Sequence, residues 1–347
     1  QKQYEPVFRE MWRMIFGDPI PYEDFYFKNV YPKNQVLAYE KDHEIAGMIH
    51  LNPYQVYVNG HFLPLHYIVG VATLEKYRRQ GIMRKMLIKC MQDMSERGEI
   101  FTYLMPADIQ YYEPFDFAVI QSFRTKKECG AAGVSGLSVL KEEDYDAASD
   151  FVNNYCSHVF RLFTKFDREY LIQLHEEVLC ENGEILVWKE EDVIRGFCCY
   201  DQDQDAVYIR QLFCEKSNDM IREIGIYFSG KPVEVILDGG EDGNGALIMA
   251  RILRLDRLME MMRGKAERKF YIHISDSILE HQNGNFRIMI TPEKCRIQRT
   301  SVIPEQSISI WDLTKILFGF ACQDLLEEYP DFKWIEPLSP VMIGEII

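Results

Sequence analysis

The fold of the first part of the chain is indicated by one segment, Val71-Ala-Thr-Leu-Glu-Lys-Tyr-Arg-Arg-Gln-Gly-Ile82. This segment follows an apolar run rich in strand-forming residues and precedes a helical pattern. In that pattern apolar side chains recur every three or four residues from Ile82 to Met94, and Gly98 then ends it. Phe101–Met105 has the composition of a further strand. A strand, a basic turn, an amphipathic helix and another strand predict a mixed α/β domain.

The turn before this helix has the chemistry of an anion site. Backbone N–H groups in the first turn of a helix lack intrahelical partners and carry the positive end of the helix dipole. Arg78 and Arg79 add positive charge, and Gly81 lets the backbone approach a pyrophosphate closely. An ordinary exposed basic turn is the alternative, but acidic residues are preferred at this end of a helix. A bound polyphosphate explains the basic residues better.

Composition narrows the functional classes. The net charge of −15 argues against nucleic acid or an anionic membrane as the main partner. It would suit a cationic substrate such as a polyamine, an aminoglycoside or a lysine side chain, and an acidic chain is equally expected for solubility alone. No apolar run approaches the ~18 residues of a membrane span, and the first residues are unlike a signal peptide. Nine cysteines follow no C-x-x-C spacing, and no Cys/His cluster suggests a metal. We expect a cytoplasmic protein without membrane partner, nucleic acid or metal.

The N-terminal pattern occurs a second time along the chain. Val36–His50 aligns without gaps on Ile185–Cys199, so that apolar, charged and glycine positions coincide. A helix predicted over Glu142–Phe160 precedes the second copy, as one over Glu5–Phe16 precedes the first. The second copy has Ile209–Asn218 in place of the basic signature and lacks Arg-Arg-x-Gly. We therefore predict that only the first copy binds a polyphosphate ligand.

Two glycine-rich stretches divide the chain into three predicted units. Gly130–Gly136 is the first boundary, and Asp238–Gly245 is the second; the acids of the latter lack the spacing of an EF-hand. We predict an α/β domain over 1–130, a degenerate copy of it over 135–240 and a small α+β domain over 246–347. The tail Val341–Ile347 is largely apolar and should pack inward, because a free tail would ordinarily be polar.

The motif Arg78-Arg79-x-Gly81-Ile82, between a strand and an amphipathic helix, resembles the acetyl-CoA signature of GNAT acetyltransferases. Met83 stands at the last signature position, where the family has Gly or Ala. With the repeat and the three-part layout, essentially all 347 residues resemble the Eis-type (enhanced intracellular survival) branch. That resemblance implies two tandem GNAT-like domains and a C-terminal sterol-carrier-protein-like domain. It also implies acetyl-CoA as co-substrate, an aminoglycoside or lysine-containing acceptor, and a homo-oligomer such as a hexamer.

The resemblance also assigns the cofactor contacts. Main-chain groups of Val71 and Thr73 would bind the pantetheine arm, and the N–H near Val71 would bind the carbonyl oxygen that becomes negative during the reaction. The pyrophosphate would be cradled by Arg78, Arg79, Gly81 and Ile82.

Two further residues receive catalytic roles by resemblance. Ile109–Phe117 is similar to the family segment I-Y-G-R-F-G-Y, which places Tyr112 where the tyrosine that protonates the leaving thiolate lies. Neighbouring Tyr111 is the alternative acid, and packing alone is the alternative role for either tyrosine. The carboxylate of the last residue, here Ile347, would accept the proton of the acceptor ammonium, although the family usually ends in Phe.

A function of a different class stays open at this point. The terminal domain resembles lipid carriers, so the chain could be a lipid-binding or scaffold protein with a vestigial acetyltransferase domain. An intact Arg78–Gly81 turn, beside a second copy that has lost it, favours the enzyme. Release of CoA that depends on an added amine separates the two classes.

Overall fold

The computed structural model describes residues 2–128, 130, 132–243, 245 and 247–345. Their helices are α1 (Glu5–Ile15), α2 (Ile20–Phe25), α3 (Ile82–Arg97), α4 (Tyr145–Val159), α5 (Arg168–Cys180), α6 (Ser217–Tyr227), α7 (Leu255–Met261), α8 (Ile310–Phe318) and α9 (Gln323–Glu328). Their strands are β1 (Gln35–Lys41), β2 (Glu44–Val58), β3 (His61–Thr73), β4 (Phe101–Leu104), β5 (Ala118–Glu128), β6 (Leu137–Val139), β7 (Leu162–Thr164), β8 (Glu184–Glu190), β9 (Val193–Gln202), β10 (Val207–Cys214), β11 (Val233–Asp238), β12 (Leu247–Ile252), β13 (Arg268–Ser275), β14 (Gly284–Ile290), β15 (Cys295–Arg299), β16 (Ser307–Ser309) and β17 (Val341–Met342).

One large mixed sheet joins both copies of the repeat. Over the described residues it has thirteen strands in the order β17-β7-β2-β3-β4-β12-β5-β11-β10-β9-β8-β6, with β1 also paired to β2. A second sheet has the order β15-β14-β13-β16. Helices pack on both sheets, and the predicted mixed α/β architecture is confirmed. In the described residues no helix is long and apolar enough to cross a bilayer.

The two hairpins that align in sequence also have the same local geometry. β1 and β2 pair antiparallel with a bulge between Tyr39 and Glu40, and β8 and β9 have theirs at the aligned positions Trp188 and Lys189. The turns Asp42–His43 and Glu191–Asp192 each place two residues at positive φ, which suits a two-residue hairpin turn. The strand–turn–strand unit is therefore repeated in structure as well as in sequence.

The same packing constraint recurs on the helices of the two copies. A Cβ added to Gly47 of β2 would lie 2.7 Å from Met86 Cε on α3, and one added to the aligned Gly196 would lie 2.7 Å from Met220 Sδ on α6. Each helix thus approaches its sheet closely over a glycine. Larger residues at either glycine would push helix and sheet apart.

Strand β2 continues through a proline, because Pro53 lies within it opposite His66. On its other side β1 pairs only as far as Leu51, and β7 begins only at Val56. Pro53 occupies the gap between these two partners, where the missing N–H removes no ladder hydrogen bond.

The C-terminal part of the chain contributes to the first sheet. Strand β12 runs antiparallel between β4 and β5. The sequence pattern predicts no strand over Leu247–Ile252, and the predicted boundary at residue 246 lies outside the described residues. The limits of the three units stay a prediction. Strands β13 to β15 pair antiparallel, and helices α8 and α9 follow them in the chain.

Candidate active site

Strand β3 parts from β4 at the centre of the large sheet. The two strands run parallel and pair only at Tyr67 and Tyr103, whereas β3 continues to Thr73 and keeps its pairing with β2. Within the described residues, 68–73 of β3 therefore have no ladder partner on the β4 side. Val71 and Thr73 lie half-buried in this split. Main-chain polar groups along it are available to an extended ligand.

A bulge bends β3 at the split. The β2–β3 register shifts between the pairs Met48–Ala72 and His50–Val69, and Gly70 between them has a φ of 61°. A Cβ on Gly70 would lie 2.6 Å from a ring carbon of Trp12. The indole thus packs directly on the backbone and helps to fix the bend.

Replacing Gly70 with Ala should lower the free energy of unfolding by about 2–5 kcal/mol. Left-handed φ costs a non-glycine residue about 1–2 kcal/mol, and overpacking a core costs about 1–3 kcal/mol more. Gly17→Ala is the control, because Gly17 has a φ of 71° with no atom near the added Cβ. Urea denaturation of both variants measures the difference; equal losses would contradict the role of the Trp12 contact.

Helix α3 begins without a cap on its first N–H groups. Its N-cap is Gly81 at a φ of 74°, without a side-chain hydrogen bond, and the first turn has no acidic residue. The first helical bond runs from Lys85 N–H to the Gly81 carbonyl at 3.1 Å. Ile82 and the two residues after it have no intrahelical acceptor for their N–H groups. This end of α3 is therefore suited to an anion.

The predicted cofactor residues converge on this turn. Arg78, Arg79 and Gly81 are exposed, and Arg79 also has a positive φ of 60°. Arg78 Nε donates to the Thr73 carbonyl at 3.2 Å, which ties the turn to the end of β3. The structure thus places the basic turn beside the open edge of β3.

Additional lysines adjoin the turn, and the sequence motif does not include them. Lys41, at the end of β1, hydrogen-bonds Gln80. Lys85 on α3 lies 3.4 Å from the Tyr39 hydroxyl. Lys41 is far from the signature in sequence and reaches the turn only through the β1–β2 hairpin. The signal that locates it is the pairing of β1 with β2 across the turn Asp42–His43, which brings β1 beside α3.

Tyr112 and Tyr111 lie in different environments. Tyr112 sits between two short 3-10 turns, is 7% exposed and packs edge-on against Phe117 at 5.9 Å. Burial raises the pKa of Tyr112 to about 12, so it stays protonated at neutral pH. Tyr111 is 58% exposed. The buried tyrosine is the better candidate for a role inside a site.

The segment that carries Tyr112 is held beside the start of α3. Arg84, in the first turn of α3, stacks over the Phe115 ring at 5.8 Å. Arg251 of β12 is fully buried and donates from Nε to the Phe115 carbonyl at 3.0 Å, while its guanidinium pairs with Asp276 at 2.8 Å. Asp116 has a φ of 61°, the left-handed conformation that a glycine adopts easily. It stands where the family segment has its second glycine, so the turn keeps that geometry without one.

The C-terminal tail reaches the same split. β17 pairs in parallel with β7, and Ile343 N–H donates to Gln121 Oε1 at 3.0 Å. The Tyr67 hydroxyl donates to the Glu345 carbonyl at 3.2 Å and accepts from the N–H of Met105 at 3.2 Å. Residues 341–345 thus pack inward as predicted. Ile347, the predicted proton acceptor, lies outside the described residues.

Comparison with known families identifies the domain that holds the split and the basic turn. Residues 1–120 match the family model of the acetyltransferase (GNAT) domain. The match indicates an acetyltransferase domain over these residues, and domains of this type use acetyl-CoA. No protein with a curated function matches the chain in sequence.

Solved structures resemble the whole chain and not only its GNAT domain. A probable N-acyltransferase from Enterococcus faecalis V583 has a TM-score of 0.80 at 14% identity, over 97% of this chain and 92% of that one. A GCN5-related N-acetyltransferase from Anabaena variabilis has 0.80 at 14%, over 99% and 97%. Eis1 from Mycobacterium abscessus has 0.68 at 14%, over 98% and 92%. At these identities the likeness shows the fold alone, and it extends beyond the GNAT domain.

Proposed function

We propose that this GNAT enzyme transfers the acetyl group of acetyl-CoA directly to a primary amine of a cationic acceptor, such as an aminoglycoside, a polyamine or a lysine-containing molecule. The observation that supports it best is the split between β3 and β4, which leads to the uncapped, basic start of α3. An open strand edge that ends at an anion site suits a long amide-containing arm with a pyrophosphate at its far end.

The chain's own residues fit acetyl-CoA as follows. The main chain at Val71 and Thr73 pairs with the amides of the pantetheine arm, and the Val71 N–H donates to the thioester oxygen as negative charge develops there. The pyrophosphate lies at the start of α3, bound by Arg78, Arg79 and the N–H groups that follow Gly81, including that of Ile82. The half-buried split and the positive φ at Gly81 support this assignment.

In the proposed reaction the amine nitrogen attacks the thioester carbon, the N–C bond forms and the C–S bond breaks. Tyr112 donates a hydrogen bond to the leaving sulfur. With a pKa of about 12, its phenol is always protonated before reaction. A thiol has a pKa of about 8.5, so complete transfer from Tyr112 would be uphill by roughly 5 kcal/mol. We therefore assign Tyr112 a hydrogen bond to the sulfur during bond breaking, with protonation of CoA completed through water.

The amine must lose a proton before it attacks, and a carboxylate of the C-terminal segment is the proposed acceptor. By resemblance this is the carboxylate of Ile347. The docking of residues 341–345 against the split supports a role for this segment.

The likeness to Eis1 supports the Eis-type proposal for the whole chain. The Eis-type proposal for this chain includes a sterol-carrier-protein-like domain over 246–347 and a degenerate GNAT-like domain that binds no CoA. It also includes assembly into a homo-oligomer such as a hexamer. We propose a cytoplasmic enzyme that uses no metal and binds neither membrane nor nucleic acid.

The proposed function is tested by mixing the enzyme with acetyl-CoA, a thiol-reactive dye and one amine at a time. Spermidine, cadaverine, kanamycin and Nα-acetyl-lysine amide cover the proposed classes. We expect CoA release well above the amine-free rate with at least one of them. If acetyl-CoA binds but none of the four amines increases the release of CoA, the lipid-binding or scaffold alternative is favoured.

A further inference from the structure

Glu345 is a buried carboxylate without an ionic partner. It is 6% exposed, its Oε1 accepts from the Tyr170 hydroxyl at 3.4 Å, and Thr164 is the other side chain that interacts with it. Its Oε2 has no well-aligned hydrogen bond to any described residue. Among the described lysines and arginines, none forms an ion pair with it. A buried charge without compensation is costly, so the site is built for something other than stability.

Four tyrosines form a chain of ring contacts beside this carboxylate. Tyr54 lies 6.1 Å from Tyr170 and 6.4 Å from Tyr67, and Tyr67 lies 5.3 Å from Tyr103, centroid to centroid. Tyr67 and Tyr103 are fully buried, whereas Tyr54 and Tyr170 are half-buried. The two partly exposed rings come from β2 of the first repeat and α5 of the second. We name these four rings with Glu345 the tyrosine cage.

The tyrosine cage has the chemistry that recognises an alkylammonium ion. Aromatic faces attract a cation through their quadrupoles, and a carboxylate supplies the opposite charge. Glu177 on α5 adds negative potential near Glu345. Glu177 shares the single cation Arg210 with Glu181 and Asp201, so one positive charge faces three carboxylates. A cation entering the cage would offset the cost of burying Glu345.

The position of the cage relates it to the transferred acetyl group. Tyr67 and Tyr103 are the pair at which β3 and β4 separate, so the cage adjoins the closed end of the split. Tyr67 also donates to the Glu345 main chain, which fixes the tail at that point. An arm lying along the split with its pyrophosphate at α3 would bring its thioester toward the cage.

We propose that the tyrosine cage is the acceptor subsite, in which the side chain of Glu345 binds the acceptor ammonium and takes its proton. This inference rests on the proposed function and names the side chain of Glu345 where the resemblance names the terminus. The ammonium becomes a neutral amine and Glu345 a carboxylic acid. The N–C bond then forms and the C–S bond breaks while Tyr112 hydrogen-bonds the sulfur. The second amine proton reaches the CoA sulfur through water, and Glu345 returns its proton to solvent.

Titration of Glu345 agrees with this role. Burial raises the pKa of Glu345 to about 7, and Thr164 and Tyr170 oppose that increase. The titratable groups that interact with it are Tyr54, Tyr67, Tyr103, Tyr170 and Glu177. A base with a pKa near the working pH is the most effective kind.

The test compares Glu345→Gln with Glu345→Asp in the full chain. With spermidine and Nα-acetyl-lysine amide as probes, Glu345→Gln should lower kcat/KM by about 10²-fold or more, and Glu345→Asp should recover part of it. Wild-type kcat/KM should rise with pH through an inflection near 7, which Glu345→Gln should lack. Glu327→Gln, on an exposed glutamate of α9, is the matched control and should behave as wild type.

Folding provides an independent readout. The folded-state pKa of Glu345 exceeds its unfolded value, so ionisation destabilises the wild type as pH rises from about 4.5 through 7. Glu345→Gln should therefore melt at a higher temperature than wild type at pH 8 and near the wild-type temperature at pH 5. Greater stability with lost activity is the pattern of a functional residue and not of a structural one.

Two outcomes would overturn the inference in distinguishable ways. If wild type acetylates the probes and Glu345→Gln keeps full activity, while a Gly-Gly-Ser extension after Ile347 abolishes it, the terminus is the base and Glu345 is not. If wild type binds acetyl-CoA but acetylates no amine, the proposed function fails and the acceptor subsite fails with it.

Tyr54→Leu removes one of the partly exposed rings of the tyrosine cage and should raise KM more than it lowers kcat.

Discussion

Tyr112→Phe should lower kcat for amine acetylation by about 10²–10³-fold, the usual cost of removing one hydrogen-bond donor to charge that develops in the transition state. The phenol is buried and protonated, and in the proposed reaction it stabilises sulfur only while the C–S bond breaks. Loss of an interaction made in the transition state lowers kcat and kcat/KM together. The dissociation constant for acetyl-CoA, measured by calorimetry, should therefore stay within about twofold of wild type.

Tyr111→Phe is the matched control, because it removes the same hydroxyl group from a neighbouring ring that is exposed. It should leave kcat unchanged. If Tyr111→Phe lowers kcat and Tyr112→Phe does not, the alignment of this segment is off by one residue. If neither does, the sulfur is stabilised by water or by another group.

The double variant Arg78→Ala, Arg79→Ala should weaken acetyl-CoA binding by about 10²-fold or more. A hydrogen bond to a charged group contributes about 1.5–3 kcal/mol, and the exposure of both side chains favours the lower end for each. Because the interaction is ionic, the loss should shrink as salt is added. Calorimetric titration at two salt concentrations measures both effects.

Two comparisons isolate the pyrophosphate. Acetyl-pantetheine lacks that group, so wild type and the double variant should turn it over with similar kcat/KM. Lys216→Ala changes a cation before α6, at the corresponding place in the second copy, and should leave acetyl-CoA affinity unchanged. Equal loss of affinity for acetyl-CoA and acetyl-pantetheine would contradict the placement of the pyrophosphate at α3.

Features encoded within a few residues could be predicted from the sequence. The hairpins repeat because glycines, turn residues and apolar positions recur at aligned places. The start of α3 could be predicted because arginines and a glycine there break the usual preference for acids. The inward packing of residues 341–345 could be predicted from the largely apolar composition of this segment.

Features that depend on distant partners could not be predicted. β12 inserts between β4 and β5, yet nothing near Leu247–Ile252 indicates which strands lie beside it. Arg251 appears in sequence as an ordinary surface cation, and only the fold shows it buried against Phe115. Glu345 would be expected in solvent, since glutamates are seldom buried. Strand order and burial of charge are decided by packing across the whole chain.

Direct transfer of the acetyl group from acetyl-CoA to an amine is tested by measuring the masses of the reaction products. The enzyme is mixed with acetyl-CoA labelled with carbon-13 in the acetyl group and with an amine that promotes CoA release. Mass spectrometry then follows the amine and the protein during the reaction. We expect a labelled N-acetyl amine in equal amount to the CoA released, and no acetylated form of the enzyme during the reaction. Release of CoA without labelled amide, or a labelled acetyl-enzyme that forms and decays at the rate of turnover, would contradict it.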